Sequence, residues 1–209
     1  LADEAELARA VEREYEPAHR RGEFKGKAFE QLLVALDGKW RTPHVLLVGA
    51  GRARDLTADR LRRIATTGGL ASRQRRLTNI SILARPFATM PADRVVQALA
   101  EGAILANYEG ISYKTTEPPS GWLGRVELRV AGAAEGAAQA LERGRVLGEC
   151  TNLARELSNE PGNVLTPREF AKRAAKIAKA ARLQTEILDE KKIAKLGMGL
   201  LLGVARGSA

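Results

Sequence analysis

Few residues in this chain have the type and spacing that chemistry needs. Gly49-Ala50-Gly51 follows a short apolar run, His44 to Val48. A glycine-rich turn between a strand and a helix can aim backbone N–H groups at a phosphate. Here Arg54 stands where the third glycine of G-x-G-x-x-G would be, and no Lys-Ser/Thr pair follows. A tight turn from strand to helix is the better match, with nucleotide binding as the alternative. Arginine is concentrated nearby. Between Thr42 and Arg85 the only acids are Asp55 and Asp59, against Arg52, Arg54, Arg60, Arg62, Arg63, Arg73, Arg75, Arg76 and Arg85. Such a patch attracts phosphates. The candidate nucleic-acid contacts are Arg52, Arg54, Arg60, Arg63, Arg73, Arg75 and Arg76. No aromatic residue interleaves with them, which argues against base stacking on a single strand. A solvated helix face is the plainer reading.

The remaining reactive types are sparse. His19 and His44 are the only histidines, and neither has metal-ligand spacing. Cys150 is the single cysteine, so it has no intrachain disulfide partner. It reads as a small apolar residue on the buried face of a helix. Carboxylates sit mostly beside Lys or Arg, where solvated pairs are expected. There is no G-x-S-x-G elbow. These residues alone supply no catalytic group and no metal ligand.

The elements that would carry these residues follow from periodicity. Asp3 to Arg20 has helical spacing, with Leu7, Ala10, Val11 and Tyr15 on one face, ended by Pro17 and Gly22. Phe29 to Leu36, His44 to Val48, Asn79 to Ala84 and Arg125 to Val130 read as strands. Helices are expected from the Thr57 cap to about Leu77 and from Pro91 to about Tyr108. The alternation predicts an α/β layered domain with helices against a mostly parallel sheet. Gly136 to Asn159 reads as one long helix with Ala140, Val146, Leu147, Cys150, Leu153, Ala154 and Leu157 inward. After a Pro161-Gly162 break, Thr166-Pro167 and Glu169 form a capping-box start for a helix to about Ala181. Gln184 to Leu188 then reads as a strand, Asp189 to Leu196 as a helix and Gly199 to Val204 as another strand.

Composition bounds the rest. The 209 residues are 44% hydrophobic and 28% charged, with a formal net charge of +9. That is globular and not disordered. Leu1 to Arg20 is charged and has no apolar signal-peptide core. The longest apolar run, Gly197 to Ala205, is too short to cross a bilayer. No membrane association and a cytoplasmic location are expected.

One stretch is far more specific than the others. Asn152-Leu153-Ala154-Arg155-Glu156-Leu157-Ser158-Asn159-Glu160-Pro161-Gly162-Asn163-Val164-Leu165-Thr166-Pro167 resembles the domain-junction segment of the M17 leucyl aminopeptidases (cytosol aminopeptidases). Leu196-Gly197-Met198-Gly199 through Gly207-Ser208 resembles the family's next segment. Gly22 to Lys27, Val45 to Gly51 and Tyr113-Lys114 have counterparts in its N-terminal domain.

The resemblance implies a macro-domain-like mixed sheet flanked by helices over 1–134, a linker helix over 135–160, and the beginning of a C-terminal peptidase domain over 161–209, an incomplete β-α unit. It implies a parent enzyme that removes N-terminal residues, leucine preferred, using two divalent metal ions (manganese, zinc or magnesium), assembled as a hexamer. The family's metal-ligand segments would follow Ala209, so no catalytic or metal residue carries over. The chain is expected to be a fragment at both ends, inactive alone and serving assembly or regulation. Some bacterial relatives also bind DNA, which gives the arginine cluster a second reading. The macro-like fold gives nucleotide binding a third.

Overall fold

A computed structural model describes residues 2–85, 87, 90–110, 113, 121–131 and 135–207. The chain divides into two compact units, Leu1–Leu153 and Ala154–Ala209.

The first unit contains helix α1 (Ala2–Arg20), strands β1 (Gln31–Ala35) and β2 (His44–Val48), helix α2 (Ala58–Gln74), strand β3 (Asn79–Ala84), helix α3 (Ala92–Ala106), strand β4 (Arg125–Val130) and most of helix α4 (Ala137–Asn159). The architecture is mixed α/β, as expected, but the sheet is not mostly parallel. β1 and β2 form an antiparallel pair with Leu33 opposite Leu46, and β3 and β4 a parallel pair with Ile82 opposite Leu128. A short turn at Asp37-Gly38 lets β2 fold back on β1, whereas β3 and β4 are joined through α3, as a parallel pair requires.

The core lies between α2, α3 and the β3–β4 pair. Leu61, Ala65, Val95, Ala98 and Leu99 are buried together, with Ile82, Ala84, Leu128 and Val130 packed on them. Glycines set the closeness of the helices. A Cβ on Gly69 would meet Ala106 Cβ at 2.5 Å, and one on Gly102 would meet Arg62 O at 2.2 Å. Gly69 is what lets the end of α3 approach α2.

Several expected boundaries move for identifiable reasons. α1 runs through Pro17 to Arg20 and ends before Gly22, whose φ is +75°. β1 starts at Gln31 and not Phe29, because Phe29 has φ +70° and Glu30 N–H closes a turn on Lys27 O. α2 stops at Gln74. Arg76 takes φ +57°, Arg76 N–H donates to Arg73 O, and Leu77 N–H donates to Ser72 O. That is a Schellman stop with arginine in the left-handed position.

α4 buries a different face from the expected one. Ala140, Gly144 and Gly148 are buried, whereas Val146, Leu147, Cys150 and Ala154 are exposed. The buried residues recur every four positions, and both glycines sit in contact with α3. A Cβ on Gly144 would lie 2.5 Å from Gln97 O, and one on Gly148 would lie 2.7 Å from Ile104 Cβ. Close backbone approach, not the larger apolar stripe, decides the packing.

The second unit holds the end of α4, then α5 (Pro167–Ala180), α6 (Glu190–Lys195) and α7 (Gly199–Ala205). The two strands expected here are not found. Residues 184–188 have no regular structure, and Gly199–Ala205 is helical. A seven-residue apolar run does not distinguish strand from helix by its pattern.

Candidate functional site

The Gly49-Ala50-Gly51 turn is stitched to the segment before β1. Gly49 N–H donates to Glu30 O at 2.7 Å, Gly51 N–H donates to Gly26 O at 2.9 Å, and Gly49 O accepts from Phe29 N–H at 2.8 Å. A Cβ on Gly49 would fall 2.0 Å from Lys27 O. The glycines are needed because the 26–30 backbone comes that close. Two of the N–H groups a phosphate would require are therefore already committed. The same segment is held by the Glu30 carboxylate, which accepts from Lys25 N–H at 2.7 Å and Lys27 N–H at 3.0 Å. These backbone donors, Lys25 first, hold the Glu30 carboxyl below its usual range.

The seven arginines singled out from the sequence do not form one patch. Arg52, Arg54, Arg60 and Arg63 lie around the start of α2. Arg75 and Arg76 lie just past its end, about 25 Å away for a 17-residue helix. Arg54 and Arg60 both approach Asp55 at 3.9 Å, and the Arg63 guanidinium lies 4.6 Å from the Phe29 ring centre. Arg52, Arg54, Arg63, Arg75 and Arg76 are exposed. Arg62 turns inward, with Nη1 donating to Asp59 at 2.8 Å and Nε 2.7 Å from Glu101 Oε1.

Arg73 is not a surface residue at all. It is 2% exposed. Its Nε donates to Gly121 O at 2.6 Å, and Nη1 donates to Ala106 O at 2.6 Å and Tyr108 O at 3.1 Å. Nη2 donates to the Glu109 carboxylate. Asn107 completes the closure by pairing with both the N–H and the carbonyl of Leu123. Together they tie the end of α3 to the approach to β4. The sequence held a signal for this, because Leu61, Ala65, Gly69 and Arg73 are spaced by four and share the buried face of α2.

The histidines and the cysteine have structural or surface positions. His19 Nδ1 lies 3.0 Å from Phe24 O, and its ring stacks on Tyr15 at 5.4 Å. His44 and Cys150 are exposed. Among the described residues, no group of three or more His, Cys, Asp or Glu is placed to hold a metal. The described residues do not fit a metal centre. Among them, too, no helix is long and apolar enough to cross a membrane.

The junction stretch is held by local hydrogen bonds. Thr166 caps α5 by accepting from Glu169 N–H at 3.3 Å, with Pro167 in the first turn. Val164 and Leu165 N–H both donate to Pro161 O, at 2.8 and 2.9 Å. Arg173, one turn beyond Glu169, donates to Glu160 at 3.0 Å and to Glu169 at 3.2 Å. These carboxylates, Glu160 first, raise the Arg173 guanidinium above its ordinary value.

Comparison with known proteins agrees with the junction motif. A family model for the N-terminal domain of the cytosol aminopeptidase family matches residues 1–117, and one for its catalytic domain matches residues 152–209. A "Probable cytosol aminopeptidase" from Persephonella marina is 34% identical over 91% of this chain and 39% of its own length. One from Solibacter usitatus is 39% identical over 90% of this chain and 38% of its own. The chain thus spans about two fifths of these relatives. Among solved structures, the bottromycin maturation enzyme BotP in complex with Mn is 28% identical, with a TM-score of 0.70 over 86% of this chain and 36% of that one. A tomato leucine aminopeptidase mutant, 20% identical, shares the fold with a TM-score of 0.78 over 92% of this chain and 38% of that one. With both domain models in order and the junction residues in place between them, the chain belongs to the cytosol aminopeptidase family.

Proposed function

We propose that this chain is the N-terminal portion of an aminopeptidase that removes N-terminal residues, leucine preferred, from peptides in the cytoplasm. Residues 1–134 would form its N-terminal domain, 135–160 its linker helix, and 161–209 the opening of its peptidase domain. The observation that carries the reading is the order of the two family matches around the junction motif. Two divalent ions, manganese, zinc or magnesium, would activate water in the parent protein, bound by residues outside this chain. A Mn-complexed relative of the same fold supports that part. The chain itself would serve assembly, with a hexamer as the working form, or regulation. Apolar residues left open in the second unit support a role as one piece of a larger domain. Leu200 is 92% exposed and Val204 81%. Leu-p-nitroanilide with added Mn²⁺ tests the inactivity of the isolated chain. No turnover above buffer is expected, and clear metal-dependent turnover contradicts it.

A second reading, DNA binding, rests on the exposed arginines at the two ends of α2. Arg73 takes no part in it. Retardation of duplex DNA at about 50 mM salt, weakening steeply as salt rises, is the expected result. No shift under those conditions removes the reading. Nucleotide binding at the Gly49-Ala50-Gly51 turn ranks last, because Gly49 and Gly51 N–H donate within the chain.

A further inference from the structure

A Pro-Gly break between two helices ordinarily reads as a tether. Residues 160–173 of this chain are built otherwise. The proline carbonyl at 161 accepts two N–H groups, from Val164 and Leu165, which folds the break into a tight turn. Thr166 caps α5 immediately after it, and Phe170 N–H donates to Thr166 O at 2.8 Å. Arg173 reaches back across the turn. Its planar head spans two carboxylates, Glu160 before the turn and Glu169 in the first turn of α5. The Glu160 side chain is only 12% exposed, so this pair is better shielded from water than the surface pairs Arg145–Glu142 or Arg168–Glu190. Shielded, hydrogen-bonded charge pairs contribute more than solvated ones.

We propose that the Glu160–Arg173–Glu169 set makes the Pro161–Thr166 break a preformed corner that fixes how α5 leaves the end of α4. Arg173 is the positioning residue of that corner. The corner stands on these contacts alone. Only its consequence, that the peptidase domain starts from a rigid turn, rests on the proposed function.

Amide hydrogen exchange on the 209-residue chain tests this directly. In the unaltered chain, the Val164 and Leu165 amides exchange nearly as slowly as those of α5. Arg173→Gln and Glu160→Gln each speed them about tenfold, the effect of losing one charge-assisted hydrogen bond. The double variant is no faster than Arg173→Gln alone, since that variant already removes the pair with Glu160. Arg173→Lys, which keeps the charge but lacks the planar fork, falls between. Amides of α2 and α3 keep their rates and report that the variants are folded. Unprotected Val164 and Leu165 in the unaltered chain would overturn the proposal. So would single variants that leave the rates unchanged, or effects that simply add. None of these readouts depends on peptidase activity, so failure of the enzyme reading leaves the test intact.

Discussion

Arg73 shows how a single residue can belong to structure when its charge suggests binding. Five donors in a fixed plane suit it to collect acceptors from the end of α3 and from the approach to β4. Gly121, Ala106, Tyr108 and Glu109 supply the acceptors. Removing it takes a charged donor away from each of those acceptors. Arg73→Leu is expected to lower the unfolding free energy by about 3 kcal/mol, and Arg73→Lys to recover only part of it. Urea unfolding measures both, and a loss below about 0.5 kcal/mol for Arg73→Leu would refute the role. Glu30 makes a complementary prediction about pH. Its carboxyl is held below its ordinary value in the folded chain, chiefly by the Lys25 N–H. A depressed carboxyl contributes stability that is present above the unfolded value and lost as pH falls through the folded one. Melting temperature should therefore drop below about pH 4.5, and Glu30→Gln should flatten part of that drop. An unchanged acid limb in the variant would exclude Glu30 as a contributor. Net charge and local arginine density could not separate Arg73 from Arg75 or Arg76. Helical spacing could, because Arg73 continues the buried series Leu61, Ala65, Gly69. The use of Gly49 for backbone approach was beyond the sequence, since the partner segment lies some twenty residues away.

At the scale of elements, termination signals were the least legible feature. β2, β3 and β4 run between the residues where their apolar patterns begin and end. α2 ends three residues before its pattern does, because Arg76 adopts the left-handed conformation. α5 closes in the same way, with Arg182 at φ +57° and Leu183 N–H donating to Ala178 O. A residue with a Cβ in that position costs about 1 kcal/mol relative to glycine. Arg76→Gly should therefore raise stability by about that amount in chemical denaturation, and a net loss would show that the Arg76 side chain makes a compensating contact. α4 illustrates the other limit. Its apolar stripe suggested one packing face, and the small residues Ala140, Gly144 and Gly148 determine another. Periodicity reports where apolar residues lie, whereas the distance between two helix axes is set by the smallest side chains at the crossing. The α7 run read as a strand because its Leu-Leu-Leu core satisfies either pattern.

For the whole molecule, the division into two units coincides with two family matches. The match to the N-terminal domain lies within the first unit, and the match to the catalytic domain begins at Asn152, beside the division after Leu153. Family membership was legible because the junction motif, with its Asn, Pro, Gly and Thr-Pro in order, resembles the family's own segment. The chemistry was not, because the described residues bring no cluster of metal-binding side chains together. The proposed function makes these residues the non-catalytic opening of a metal-dependent aminopeptidase. The most direct measurement is hydrolysis of Leu-p-nitroanilide by the parent protein, with a chelator and then with Mn²⁺ or Zn²⁺ restored. Turnover that is abolished by the chelator and recovered with metal is the predicted result. A well-folded parent protein that releases no N-terminal residue under any of these conditions would contradict the claim.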